Sequence, residues 1–99
     1  MSLTVLITRD VEDRYRGFLS SAMLEATAGT YISKCLTPRA RDKVWKVVTD
    51  WHGALGRGSL TLIYPDSASD GGITVRSVGV PTRRPVSIDG ALLMQRVNP

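Results

Sequence analysis

Hydrophobic positions recur along the chain with two different periods, and this change of period predicts a protein built from both strands and helices. Residues 3–8, LTVLIT, are a short β-branched and apolar run, which is typical of a buried strand. Residues 11–29 then carry apolar side chains at helical spacing, which predicts an amphipathic helix that is capped at Gly29. The apolar stripe of this helix consists of Tyr15, Phe18, Leu19, Ala22 and Ala26.

A second strand and a longer helix follow in the pattern. Residues 30–36, TYISKCL, alternate as a strand does, although one bent strand or two very short ones would fit equally well. Thr37 and Pro38 then indicate a helix start, because threonine caps free N–H groups and proline suits the first turn. We expect this helix to end near Leu55, before Gly56. Its predicted stripe consists of Ala40, Val44, Val47, Val48, Trp51 and Leu55.

The last part of the chain is strand-like. Residues 59–64 and 72–79 predict two strands of a hairpin, because the segment between them, PDSASDGG, is rich in turn residues. Residues 91–97, ALLMQRV, predict a short final strand. The order of elements indicates an α+β protein, a ferredoxin-like two-layer sandwich. It would have an antiparallel sheet with two helices on one face, plus the short C-terminal strand.

The amino-acid composition is that of an ordinary globular domain with a net positive charge. The chain has 99 residues, 42% of them hydrophobic and 22% charged, which favours one folded domain. Thirteen Lys and Arg residues against nine Asp and Glu residues give a net charge of +4, which favours an anionic partner. No apolar run is long enough to span a membrane. One cysteine and no recognisable export signal predict a cytoplasmic protein.

Few side chains suit catalysis. His52 is the single histidine, so one chain cannot assemble a Ser-His, Cys-His or His-rich metal site, and we expect a structural role for it. Cys35 has no CxxC partner and is predicted to be a packed thiol. Asp10 follows the first strand, and with its mate across a two-fold axis it could bind Mg²⁺. Arg9 would compete with that cation, and a helix-start aspartate is the alternative interpretation.

Arginines give the stronger signal. They form three groups near the predicted ends of elements, which favours a shared phosphate-binding face. For any single arginine the alternative is a solvated surface charge. The groups consist of Arg14 and Arg16, of Arg39 and Arg41, and of Arg83 and Arg84.

Four segments, in order, resemble blocks of the subtype I-E branch of the CRISPR-associated protein 2 family. Residues 3–8 are similar to its first strand, and RYRGFLSSAMLEATAGTYIS, residues 14–33, resembles its R-x-R-G…L-E-x-x-A-G-x-Y-[IV] block. PRARDKVW, residues 38–45, is similar to the basic start of its second helix. GVPTRRPVSIDGALLM, residues 79–94, resembles its signature of paired arginines, proline and Asp-Gly.

This resemblance implies a ferredoxin-like homodimer at the centre of the CRISPR adaptation complex. Two dimers of the integrase, CRISPR-associated protein 1, would flank it, and it would hold double-stranded spacer DNA by its backbone. No cofactor is required for that role. The duplex-contacting positions of the family correspond to Arg14, Arg16, Arg83 and Arg84, and the basic helix start to Arg39 and Arg41.

The C-terminal strand corresponds to the segment that docks onto the integrase. We therefore expect residues 1–90 to form a DNA-binding and dimerisation domain and residues 91–99 to form a docking strand. An edge within the same chain, or a contact within the homodimer, is the alternative. The predicted partner-binding residues are Ala91, Leu92, Leu93, Met94, Gln95, Arg96 and Val97.

Two rival functions remain open. Nuclease-active branches of the family end the first strand in an aspartate, commonly after tyrosine, whereas Arg9 precedes Asp10 in this chain. This departure favours a non-catalytic role over a Mg²⁺-dependent endonuclease that uses an Asp10 pair. The second rival is an RNA-recognition module, which would need aromatic side chains on its strands for base stacking. Phe18 and both tryptophans fall instead on predicted helices.

Overall fold

The computed structural model describes residues 3–79 and 83–96. In this part of the chain, no helix is long and apolar enough to cross a membrane. The elements are β1 (Thr4–Arg9), α1 (Asp13–Ala22), β2 (Leu24–Thr27), β3 (Thr30–Ser33), α2 (Pro38–Leu55), β4 (Ser59–Pro65), a 3₁₀ turn (Asp70–Gly72), β5 (Ile73–Val78), β6 (Arg83–Ile88) and β7 (Ala91–Arg96).

The main sheet has the strand order β2-β3-β1-β4-β5, and each strand pairs antiparallel with its neighbours. The succession β1-α1-β2-β3-α2-β4, with β1 and β3 in the middle, is the ferredoxin-like arrangement. Strand β5 extends this unit by pairing with β4, as the predicted hairpin requires. The α+β ferredoxin-like prediction is therefore confirmed.

Alternation along β1 and β4 determines which face of the sheet is covered. On β1 and β4 every second residue is buried, including Leu6 and Leu62, which are opposite each other in the pairing. These side chains share one core with Leu19 of α1 and Val48 of α2, so both helices cover the same face. The largest fully buried side chains among the described residues are Tyr15, Tyr31, Leu6, Leu19, Leu60, Leu62 and Val48.

The first helix is shorter than its apolar spacing predicted. It ends at Ala22, and the next segment forms β2, so Ala26 is exposed on an edge strand and does not continue the helical stripe. Strand β2 pairs with β3 through a tight turn in which Gly29 has φ of 79°. Glycine suits this turn because it adopts positive φ without a steric penalty. Within residues 30–36, where one bent strand or two very short ones were possible, the structure has one short strand, β3, which ends at Ser33.

Two further expectations on burial are wrong. Strand β3 ends at Ser33, and the side chain of Ser33 accepts a hydrogen bond of 3.1 Å from the backbone N–H of Cys35. This local bond turns the chain away from the strand, so Cys35 is exposed and not a packed thiol. Leu55, the last residue of the predicted stripe, is 40% exposed because the helix ends there, beyond the covered part of the sheet.

The second helix begins and ends where its capping residues predicted. The Thr37 side chain accepts a hydrogen bond of 3.1 Å from the backbone N–H of Ala40, and Pro38 occupies the first turn. Gly56 ends the helix in the left-handed conformation, with φ of 68°. These local signals therefore fixed both ends of α2 correctly.

Strand β6 was not predicted. It forms a separate two-stranded sheet with β7, joined by Asp89 and Gly90, which both have positive φ. Asp-Gly is a favoured pair for such a two-residue hairpin turn, so the sequence carried this signal. The hairpin lies against the 3₁₀ turn, where Leu92 approaches Gly71 too closely to leave room for a side chain.

Candidate nucleic-acid interface

Arg14 is positioned by an aromatic group at the end of α2. Its guanidinium carbon lies 5.4 Å from the centroid of the Trp51 ring, within the range of a cation–π contact. Trp51 in turn makes edge contacts with Tyr15 and Phe18 of α1, at centroid distances of 5.3 and 5.5 Å. Arg14 is exposed, so the contact with the ring orients its guanidinium and leaves the residue accessible to solvent.

Arg16 points to another side of α1, as the two-residue separation predicted. Its Nε donates to Oε1 of Glu25 on β2 at 3.1 Å, and its side chain is 73% exposed. Glu25 also accepts the backbone N–H of Gly29 at 3.3 Å, and its charge adds to burial in raising the pKa of Tyr31. Arg16 is therefore tethered by a carboxylate that is itself fixed in the β2–β3 turn.

Arg41 is packed onto the sheet at the start of α2. Its guanidinium carbon lies 3.6 Å from the centroid of the Tyr64 ring, and its Nε donates to Asp42 at 3.2 Å. The side chain is only 16% exposed. Arg39, two residues earlier, is exposed. The basic helix start thus splits into one packed arginine and one surface arginine.

Arg76 is a basic residue that the sequence interpretation did not single out. It lies on β5 opposite Leu62, and therefore on the helix-covered side of the sheet, at its edge. One terminal nitrogen lies 4.0 Å from the Asp42 carboxylate, and the side chain is 45% exposed. The alternation along β5 predicts which side of the sheet Arg76 faces. That Arg76 lies next to α2 follows only from the order of the strands in the sheet.

Four of the described arginines lie at two places along α2. Helix α2 has 18 residues, and residues 41 and 51 are separated by about 15 Å along its axis at 1.5 Å per residue. We call the two places the Pro38 end, with Arg39, Arg41 and Arg76, and the Trp51 end, with Arg14. The predicted shared face is therefore elongated and has no single point of convergence.

Arg83 and Arg84 begin β6, where the backbone of Arg83 is opposite Arg96 and that of Arg84 is opposite Gln95. The extended backbone expected before Pro85 is present. Strand β7 comprises the predicted docking residues except Val97, which lies outside the described residues. Leu93 and Met94 are 50% and 46% exposed. Among the described strands, β7 pairs with β6 alone.

Asp10 has a cationic partner already. Arg57, in the loop after α2, donates to Asp10 Oδ1 from a terminal nitrogen at 2.9 Å and from Nε at 3.3 Å. The hydrogen bond to Asp10 raises the pKa of Arg57 further above its ordinary value. The described residues contain no group of three or more His, Cys, Asp or Glu side chains arranged for a metal. This single, paired carboxylate does not fit the needs of Mg²⁺.

His52 has the structural role that was expected. Its Nε2 lies 2.9 Å from the Gly58 carbonyl oxygen, to which it donates, and this bond ties the end of α2 to the following loop.

A family model described as CRISPR-associated protein (Cas_Cas2CT1978) matches residues 3–93. The matched range includes the main sheet, both helices, strand β6 and the first residues of β7.

Proposed function

The chain belongs to this family of CRISPR-associated proteins, the Cas2 family, and from that premise we propose that it is a structural, DNA-binding subunit of CRISPR adaptation. Family membership supports the role in adaptation. The finer proposal is that the chain is of the subtype I-E branch. In that role it is a homodimer between two dimers of CRISPR-associated protein 1 and holds duplex DNA independently of sequence.

The observation that carries the proposal is the arrangement of surface arginines along α2. Arg14 is anchored on Trp51 at one end, and Arg39 is exposed at the other. Residues 39 and 51 are separated by about 18 Å along the axis of α2, which corresponds to roughly five base pairs of duplex at 3.4 Å per pair. Phosphate contacts at this spacing orient a duplex without distinguishing its bases, which suits a protein that accepts DNA of any sequence.

Arg76 takes the place of Arg41 in this proposal. Arg41 shares its guanidinium between Tyr64 and Asp42 and has little exposed surface, whereas Arg76 is 45% exposed beside the same helix start. In this proposal Arg41 packs between Tyr64 and Asp42 beneath the exposed arginines, while Arg39 and Arg76 contact phosphates. Arg16, Arg83 and Arg84 complete the proposed set of DNA-binding residues.

The face of the main sheet opposite the helices supports the homodimer. In the strand pairing, its central apolar residues lie next to one another across β3, β1, β4 and β5 and are only half-buried. A second copy covering this face would remove apolar surface from water, which stabilises association. The residues are Val5, Ile7, Ile32, Ile63 and Val75.

Strand β7 supports docking of the integrase. Among the described strands β7 pairs with β6 alone, and the addition of a strand to a sheet edge by a partner is a recognised mode of recognition. Leu93 and Met94 add exposed apolar side chains on the same strand. A Mg²⁺-dependent nuclease is the less favoured function, because Arg57 neutralises the carboxylate that such chemistry would need.

The test is the salt dependence of duplex binding, measured by fluorescence anisotropy with duplexes of unrelated sequence. If about six phosphates are neutralised, log K should fall against log salt with a slope near −5. Replacing Arg83 and Arg84 by alanine should lower that slope in magnitude by about 1.8 for two lost contacts and weaken every duplex alike.

The matched control removes two other positive charges, with Lys34→Ala and Lys46→Ala, and should change the slope much less. Binding that depends strongly on base sequence would contradict the proposal. So would a slope that stays unchanged when Arg83 and Arg84 are removed.

A further inference from the structure

We infer that Arg57 is the built-in counter-ion of Asp10 and occupies the position that a divalent cation would need at that carboxylate. The sequence singled out Asp10 as a metal ligand, with Arg9 as the competing cation. The structure assigns that competition to Arg57, which is 47 residues away in the chain. This inference concerns the Asp10 carboxylate itself and does not depend on DNA binding.

The geometry of the pair is that of a charge-assisted hydrogen bond. Two nitrogens of the guanidinium donate to the same carboxylate oxygen, at 2.9 and 3.3 Å. A Mg²⁺ ion binds carboxylate oxygens at about 2.1 Å and needs further oxygen ligands around it. A cation bound to that oxygen would therefore have to displace the guanidinium or lie against it.

The backbone keeps Arg57 beside Asp10. The next residue, Gly58, has φ of 79°, and a side chain there would collide with the carbonyl oxygens of Arg9 and Asp10. This close backbone approach needs glycine, because no other residue fits the space and the conformation together. His52 holds the carbonyl of Gly58 from the other side. The loop after α2 is thus fixed against the end of β1. This places the backbone of Arg57 close to Asp10, with which its side chain pairs.

Charge repulsion sets the expected size of the effect. Two unit charges about 4 Å apart in water repel by an energy that corresponds to about fivefold in an equilibrium constant. A divalent cation carries twice the charge, so the repulsion energy doubles and the factor in the equilibrium constant rises to about 25-fold. The side chains of Arg57 and Asp10 are both largely exposed, so salt screens the repulsion and reduces this factor. We therefore expect removal of Arg57 to strengthen cation binding by about tenfold.

The experiment titrates Mn²⁺ into the full chain at low salt and measures free Mn²⁺ by electron paramagnetic resonance. Wild type and Asp10→Asn should bind nearly alike, because Arg57 makes binding at Asp10 weak in wild type. Arg57→Ala should bind about tenfold more tightly, and the additional Asp10→Asn substitution should abolish that gain. Arg57→Gln is the second variant, and circular dichroism establishes that each variant is folded.

The matched control is Lys46→Ala, since Lys46 and Asp50 form an equally short and exposed pair at 2.9 Å. It frees a carboxylate on a helix surface from a flexible lysine side chain that a bound cation can push aside, so it should change Mn²⁺ binding by less than Arg57→Ala does. Wild-type binding that is already tight and lost in Asp10→Asn would overturn the inference. Equal binding by wild type and both Arg57 variants would overturn it as well.

Discussion

Near each end of α2 an arginine lies over an aromatic ring, yet the two arginines differ in how far they are exposed to solvent. At the Trp51 end, Arg14 lies 5.4 Å from the ring centroid and is exposed. At the Pro38 end, Arg41 lies 3.6 Å from the Tyr64 ring and is 16% exposed, because Asp42 and the sheet enclose it. A basic segment therefore does not expose all of its charges: packing divides them into supporting residues, such as Arg41, and exposed, contacting residues that we propose bind DNA.

The most severe test of this comparison removes the ring at the Pro38 end. Tyr64 is 5% exposed and belongs to the core, so Tyr64→Ala should lower the free energy of unfolding by about 3 kcal/mol. Urea unfolding measures this change. The control Arg39→Ala removes a surface charge at the same end and should stay within about 0.5 kcal/mol of wild type. Similar losses in the two variants would contradict the division into supporting and contacting residues.

A smaller effect separates Arg14 from Arg41 in DNA binding. Arg14→Ala should reduce the magnitude of the salt slope by about 0.9, the value for one lost phosphate contact, and leave stability nearly unchanged. Arg41→Ala should leave the slope nearly unchanged and cost about 1 kcal/mol of stability, because it removes a packed hydrogen-bonding side chain. Anisotropy titrations and urea unfolding measure the two quantities on the same samples. Equal changes of slope would mean that exposure does not decide which arginine binds.

The smallest expected effect concerns Asp66, close to the Pro38 end. Hydrogen bonds from Thr74, the Ala68 backbone and Ser69 lower its pKa, and the charge of Arg41 contributes in the same direction. A lowered pKa in the folded state means that the carboxylate stabilises the fold above its unfolded pKa of about 3.9. That stability is lost as the pH falls through the lower folded value.

Asp66→Asn should therefore be less stable than wild type at pH 7, and the difference should shrink below about pH 4 as the wild-type carboxylate is protonated. Urea midpoints measured across this range check the sign. A difference that grows on acidification would show that the hydrogen bonds do not favour the charged form.

Much of the fold was predictable because its signals are local. The alternation on β1 and β4, the helical stripe of α2 as far as Trp51 and its caps at Thr37 and Gly56 all appear in the structure as expected. Strand β2 was assigned to α1, since Ala26 continues the helical spacing by coincidence. Pairing with β3 outweighs that spacing, because it gives the backbone of β2 hydrogen-bond partners that the end of a helix lacks.

The candidate site was predictable in its residue types and only partly in its geometry. The arginine positions follow from the sequence, and so does the separation of Arg14 and Arg16 to different sides of α1. The packing of Arg41 on Tyr64 and the proximity of Arg76 to Asp42 do not follow, because they depend on which strand borders which helix.

The sequence by itself determined most of the element types, the net positive charge and the family to which the resemblance pointed. Each of these depends on neighbouring residues or on the count of charges. Only the tertiary structure decided which charges have partners: Arg57 reaches Asp10 across 47 residues, and Arg41 lies over a ring 23 positions further along the chain. The physical reason is that an ion pair or a ring contact requires closeness in space, which the order of strands in the sheet creates.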